Sequence, residues 1–242
     1  MRHVSVVKPL RVVFVLLSAL ALFMFMHSAF FAVTQIRVQG LKQLKNHEIV
    51  KISGLNAGLN IFKANLKDAE DKIRLLPLVK DVQIKRRLPS TLEVIITERA
   101  ALGLVSGRGE FLQVDGEGVL LDGTADLSKV NLPIITGAPA KKTAPGEKVE
   151  SEEILAALSF LKEMPVNILA TISEINVKDS NNIKFYTLDG AEVRVGNTER
   201  IADKIRLYEE VVSRKYSRRV QYIDISYKGR PVIKFIEEKQ NS

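Results

Sequence analysis

Hydropathy divides the chain sharply near its start. From Val12 to Val33 no charged side chain interrupts an apolar run whose only strongly polar member is His27. A helix needs about 20 apolar residues to cross the hydrocarbon core, and a soluble surface helix would show a polar face that this run lacks. The pattern predicts a single N-terminal transmembrane helix over residues 12–33 behind a short tail, residues 1–11. Arg2, Lys8 and Arg11 hold that tail on the cytoplasmic side, so everything from about Thr34 onward lies outside. A cleaved signal peptide is the alternative, with small residues in Ala19-Leu20-Ala21. It would leave Leu22 to Val33 as an apolar new N-terminus, and signal h-regions run only about 7–15 residues.

Behind the run, short elements alternate with turn signals. Thr34 to Val38 alternates as a half-buried strand and stops at Gly40. Asn46 is an expected N-cap for a helix turning Ile49, Val50 and Ile52 inward, closed by Gly54. Leu66, Ala69, Ile73 and Leu76 recur at helical spacing between Ala64 and Leu76, and Pro77 prevents continuation. Two strands follow, carrying Val79, Val82 and Ile84, then Leu92, Val94 and Ile96, joined through Arg86 to Ser90. The order is strand, helix, helix, strand, strand.

From Ala100 the texture changes to many short strands. Phe111 to Val114 and Val119 to Leu121 flank Asp115-Gly116-Glu117-Gly118, whose glycines accept the backbone angles of a tight turn. Leu132 to Ile135 is a further strand, and Gly137 to Gly146 is a surface loop by composition. Ser151 caps a helix that buries Ile154, Leu155, Leu158 and Leu161 and ends by Pro165. Ile172 to Val177, Ile183 to Tyr186 and Glu192 to Val195 predict a meander, with Asp189-Gly190 turning its second pair. Asn197 is the expected cap of a last long helix with the stripe Ile201, Ile205, Tyr208, Val211 and Val212. A terminal hairpin, Tyr222 to Tyr227 and Pro231 to Ile236, closes the chain.

Composition narrows the chemistry. With Cys 0, folding outside the membrane rests on packing alone. The net charge of +8 permits attraction to anionic surfaces, but Lys and Arg are interleaved with Asp and Glu, which reads as a solvated mixed surface. Arg214, Lys215, Arg218 and Arg219, with Tyr216 among them, admit a nucleic-acid reading. Cations complementing a helix C-terminus explain them more simply. No cysteine nucleophile, Gly-x-Ser-x-Gly elbow or His-Glu-x-x-His motif occurs; His47-Glu48 lacks the second histidine. Three histidines, His3, His27 and His47, are too scattered for a triad or a metal site. Asp122 and Asp126 are a generic carboxylate pair of the kind glycan hydrolysis uses. The expectation is a non-enzymatic protein with no cofactor and no metal.

Several fragments stand in a telling order: Gly40-Leu41, Gly54-Leu55, Asn60-Ile61-Phe62, Leu76-Pro77-Leu78-Val79, Arg87-Leu88-Pro89-Ser90-Thr91-Leu92 and Glu98-Arg99. Behind a single anchor, this series resembles the POTRA module of the cell-division family FtsQ/DivIB. Where the family often has a proline one residue after Glu-Arg, this chain has Ala100-Ala101. Tyr222-Ile223-Asp224-Ile225-Ser226-Tyr227 is similar to the family's penultimate strand, with Ser226 where arginine is common.

The resemblance implies an α+β protein: one transmembrane helix, a POTRA domain (β-α-α-β-β) over residues 34–99, and a mostly antiparallel β domain with flanking helices over residues 100–242. It implies a bitopic scaffold at the division septum of the cytoplasmic membrane. Its partners would be FtsB- and FtsL-type proteins, bound at the last strand, together with other membrane division proteins at the POTRA domain. The partner-binding candidates are Ile225, Ser226, Tyr227, Pro231, Val232, Ile233, Lys234 and Phe235. A terminal strand beginning at a proline leaves backbone groups that an incoming segment can pair. A POTRA-containing envelope-assembly or secretion factor is the alternative, but no tandem array or barrel-length strand series follows.

Overall fold

A computed structural model describes residues 7–107, 109–124, 130–141, 144–214 and 216–237. The chain forms two compact units, Met1–Glu98 and Arg99–Ser242.

In the first unit, helix α1 runs over Val7–Met26. Its side chains are described from Arg11 on, and among the described residues no helix is long and apolar enough to cross a membrane. The apolar run does not stay helical to Val33. A single 3₁₀ turn covers Ala29–Phe31, and Phe31 and Val33 are buried in the core of the folded unit. The run thus divides between an exposed helix and a domain core, because Ala32 bridges Asn60 and the Phe31 carbonyl accepts from Ile61 N–H at 2.8 Å. At the other end, α1 begins within the expected tail.

Strand β1 (Gln35–Gln39) lies parallel to β3 (Thr91–Glu98), which pairs antiparallel with β2 (Val79–Arg87), in the order β1-β3-β2. Central β3 turns Leu92, Val94 and Ile96 into a core shared with Ile49 of α2 (Asn46–Ser53) and Ile73 of α3 (Leu66–Arg74). Burying each such side chain contributes about 1.5–3 kcal/mol. Asn46 does not cap α2: the N-cap is Lys45, without a side-chain bond. The Asn65 carboxamide caps α3, accepting from Asp68 N–H at 3.3 Å.

The second unit is a nine-stranded mixed sheet in the order β12-β11-β10-β9-β8-β7-β4-β5-β6. Its strands are β4 (Ala101–Ser106), β5 (Phe111–Asp115), β6 (Leu120–Thr124), β7 (Ile134–Thr136), β8 (Ile172–Asn176), β9 (Ile183–Thr187), β10 (Glu192–Gly196), β11 (Val220–Asp224) and β12 (Val232–Phe235). Most neighbours are antiparallel; β4 with β7, β7 with β8 and β10 with β11 are parallel. Parallel neighbours need a crossover, supplied between β7 and β8 by α4 (Glu152–Lys162) and the single turn α5 (Val166–Leu169), and between β10 and β11 by α6 (Ile201–Val212).

The period of two along each strand sorts side chains by face. Ile175, Phe185, Val193, Ile223 and Ile233 stand in register across five strands, continuing the core row out to the edge. Ser151 caps α4, its Oγ accepting from Ile154 N–H at 3.3 Å. Asn197 does not cap α6; the N-cap is Arg200, in the left-handed region at φ 52°. The Asn197 carbonyl instead accepts from buried Lys204 Nζ at 2.7 Å, and its carboxamide oxygen from the same Nζ at 3.1 Å. Burial is the main cause that lowers that amine's pKa.

Candidate functional site: the edge strand of the large sheet

Strand β12 ends the large sheet and, among the described residues, pairs only with β11, through Val220↔Phe235, Tyr222↔Lys234, Ile223↔Ile233 and Asp224↔Val232. Among the described residues, one backbone edge of β12 therefore has no strand beside it. Along it, Val232 and Lys234 are exposed while Ile233 and Phe235 are half-buried, as a strand with one face on a core must be.

The predicted residues separate into three groups. Ile225 is 1% exposed and belongs to the core, its N–H donating to the Arg194 carbonyl at 3.0 Å, so its side chain offers no contact surface. Ser226 bonds back to Asp224 Oδ1 through its N–H at 3.0 Å and its Oγ at 2.6 Å, shaping the turn out of β11. Tyr227 is 77% exposed, and Pro231, Val232, Ile233, Lys234 and Phe235 form the edge itself.

A cleft of about 390 Å³ lies beside this edge, between α6 and β12, with Leu207, Val211 and Ile233 as its apolar lining and Glu210, Arg214 and Arg230 at its rim. Sequence reading missed it because α6 and β12 are separated by β11 in the chain. It also missed how the basic stretch is used. Helix α6 stops at Val212, so the arginines lie beyond its last turn and not within it. Arg214 pairs with Glu210, Arg218 lies 4.9 Å from the Phe235 ring centroid, and Arg219 donates to the Asp189 carbonyl at 3.3 Å. Lys215 lies outside the described residues. Tyr216, embedded in the basic run, was the available signal: its ring packs on Phe235.

The sheet face opposite the helices carries a second register, Glu174, Tyr186, Glu192, Tyr222 and Lys234. Arg194 crosses it, donating to Glu192 at 2.7 Å and lying 4.1 Å from the Tyr222 ring centroid. Its bond to Arg194, with Lys184 nearby, holds the Glu192 carboxyl below the usual range despite opposing burial. Among the described residues, no cluster of three or more metal-ligating side chains is present. Of the carboxylate pair, Asp122 bonds the Gly123 N–H at 3.0 Å, while Asp126 lies outside the described residues.

Residues 31–99 match the family model described as "POTRA domain, FtsQ-type", and residues 103–226, just over half of the 242-residue chain, match "Cell division protein FtsQ/DivIB, C-terminal". The chain is 27% identical over 216 residues to cell division protein DivIB of Clostridium acetobutylicum, covering 84% of this chain and 82% of that one. It is 28% identical over 206 residues to cell division protein FtsQ of Geobacter sp. strain M21, covering 82% and 74%. A solved structure of the major extracytoplasmic domain of DivIB from Geobacillus stearothermophilus aligns over 48% of this chain and 93% of its own, at 25% identity and a TM-score of 0.36.

Proposed function

Because the chain belongs to the FtsQ/DivIB family of cell-division proteins, we propose that it is a non-enzymatic membrane-anchored scaffold whose edge strand β12 recruits FtsB- and FtsL-type partners by strand addition. The observation that carries this reading is the edge itself: four residues, Val232–Phe235, with exposed Val232 and Lys234 and, among the described residues, no outer strand. An incoming extended segment gains backbone hydrogen bonds along such an edge, and alternate side chains supply specificity. The adjacent cleft against α6 gives that segment's apolar side chains a place to bury. Residues 34–99 are the POTRA domain of this reading and residues 100–242 its β domain.

Helix α1 serves as the anchor, with the folded units on the outer side of the cytoplasmic membrane. Its backbone runs over 20 residues, about 30 Å at 1.5 Å per residue, which matches the hydrocarbon core once residues 7–10, whose side chains lie outside the described ones, are counted with Arg11–Met26. From Val12 to Phe25 its large apolar side chains are exposed on every side, a surface that water disfavours and lipid accepts. The lysine and arginine near its start favour a cytoplasmic N-terminus.

The test is binding of the chain to an FtsB-type protein from the same cell, compared with Val232→Pro, which breaks edge pairing, and with Tyr227→Ala, which alters only an exposed ring. Loss of binding with Val232→Pro while the thermal transition persists supports strand addition. Undiminished binding by a folded Val232→Pro protein overturns it.

A further inference from the structure

Every carbonyl in the last turn of α1 is hydrogen-bonded, the final one by a residue of the first folded unit. The final four carbonyls of a helix ordinarily lack intrahelical partners. Here the Phe23 carbonyl accepts from His27 Nδ1 at 2.8 Å and His27 N–H at 3.2 Å, Met24 from His27 N–H at 3.2 Å, and Phe25 from Ser28 N–H at 3.0 Å. The fourth, Met26, accepts from the Asn60 carboxamide at 2.8 Å, a residue of the folded unit. An end with no bare carbonyl is what a low-dielectric surrounding demands, since an unsatisfied group there costs several kcal/mol.

Asn60 lies in a loop, residues 58–64, that is held rigidly. Gly58 N–H donates to the Val33 carbonyl, Val33 N–H to the Leu59 carbonyl and Ile61 N–H to the Phe31 carbonyl, each at 2.8 Å. From behind, Arg86 donates Nε to the Ile61 carbonyl and Nη2 to the Ala64 carbonyl, both at 2.8 Å. This well-fixed backbone nevertheless leaves Leu59 and Phe62 each 38% exposed, beside Phe30 at 59%. The rings are continuous with the helix: Phe25 to Phe30 at 5.7 Å, Phe30 to Phe31 at 5.0 Å and Phe31 to Phe62 at 5.1 Å between centroids. No acidic residue occurs in residues 27–35 or 55–66, and exposed Lys63 is the one lysine or arginine there.

We propose that this loop is a lipid-binding foot: Phe30, Leu59 and Phe62 sit at the headgroup and acyl boundary of an anionic bilayer, with Lys63 toward the phosphates. The inference rests on reading α1 as the anchor. Apolar and aromatic side chains enter such an interface to about 5–10 Å, and a basic side chain is drawn to an anionic surface. The first folded unit is then fixed against the membrane at the exit of its own anchor. It does not hang from a flexible tether, because helix end, 3₁₀ turn and loop form one bonded assembly.

The chain has no cysteine, so single reporters can be introduced into the full chain. Leu16→Cys lies in α1, Phe62→Cys in the loop, and Leu88→Cys in the exposed turn between β2 and β3. Each is labelled with bimane and reconstituted in phosphatidylethanolamine and phosphatidylglycerol vesicles carrying nitroxides at shallow or deep acyl positions. The expected result is loss of fluorescence at position 62 with shallow nitroxides, at position 16 with deep ones, and at position 88 with neither. Quenching at 16 without quenching at 62 overturns the foot and leaves the anchor intact, also where 62 is shielded from an aqueous quencher, which would mean protein contact. Absence of quenching at both overturns the anchor and the foot together.

Discussion

Tyr216 rests its ring on Phe235, with centroids 5.5 Å apart and planes inclined at 56°. The contact ties the turn after α6 to the last strand, so the free edge is backed by packed aromatics and by the Arg218 guanidinium. Phe235→Ala removes both contacts, and a half-buried ring of this kind contributes about 1–3 kcal/mol. We expect a lower denaturation midpoint together with weaker capture of an FtsB-type partner.

Tyr227 gives the complementary case. Its ring is 77% exposed, so Tyr227→Ala should change stability by no more than about 0.5 kcal/mol. A drop in partner binding at constant melting temperature would mean that a side-chain pocket on the partner reads this ring. Unchanged binding would assign recognition to the backbone edge.

Gly40 tests the first unit. Its φ is 87°, and a Cβ there would lie 1.9 Å from the Ile96 carbonyl oxygen. Gly40→Ala combines left-handed strain with a backbone clash, a cost of about 2–5 kcal/mol. Thermal denaturation should show a large loss, whereas Gly58→Ala, which shares the left-handed strain at φ 88° but has open space around its Cβ, should lose less.

Glu98 closes the end of β3 by accepting the backbone N–H groups of Lys42 and Gln43 at 2.8 Å and Leu44 at 3.0 Å. Burial pushes its carboxyl upward, but these three donors and the Lys42 charge prevail and hold it below its ordinary 4.5. A carboxylate depressed on folding stabilises above its unfolded pKa and loses that contribution as pH falls through the folded value. Glu98→Gln should therefore cost about 1–2 kcal/mol near neutral pH. The gap from the unaltered protein should narrow as pH drops below 4.5; a gap constant with pH would contradict the assignment.

Arg99 pairs with the buried carboxylate of Asp115, whose Oδ1 also accepts the N–H groups of Glu117 at 2.9 Å and Val119 at 2.8 Å. Arg99→Ala leaves that charge without its cation, at a cost of about 3 kcal/mol. Urea denaturation should record the loss.

Elements whose causes are local were legible from the residues alone. The period of two in Thr91 to Glu98 and Glu192 to Val195, the glycine turn at 115–118, the Ser151 cap and the terminal hairpin all depend on residues near one another in the chain. The chain order of the first unit, β-α-α-β-β, was legible as well, but not that β1 lies parallel beside β3, a pairing of residues more than fifty apart. Local caps misled at Asn46 and Asn197, where tertiary packing placed Lys45 and Arg200 at the helix starts instead and used Asn197 to hold buried Lys204.

Tertiary structure alone decided where the apolar run ceases to be a helix. Composition is uniform from Val12 to Val33, and it is the loop from Gly58 to Ile61, about thirty residues away, that draws Met26, Phe31 and Val33 into a folded junction. Tertiary structure alone also decided that β12 is an edge of the large sheet, that Ile225 is core, and that the basic run after α6 braces Phe235. Each of these follows from hydrogen bonds and packing between residues distant in sequence, and local propensity carries no record of them.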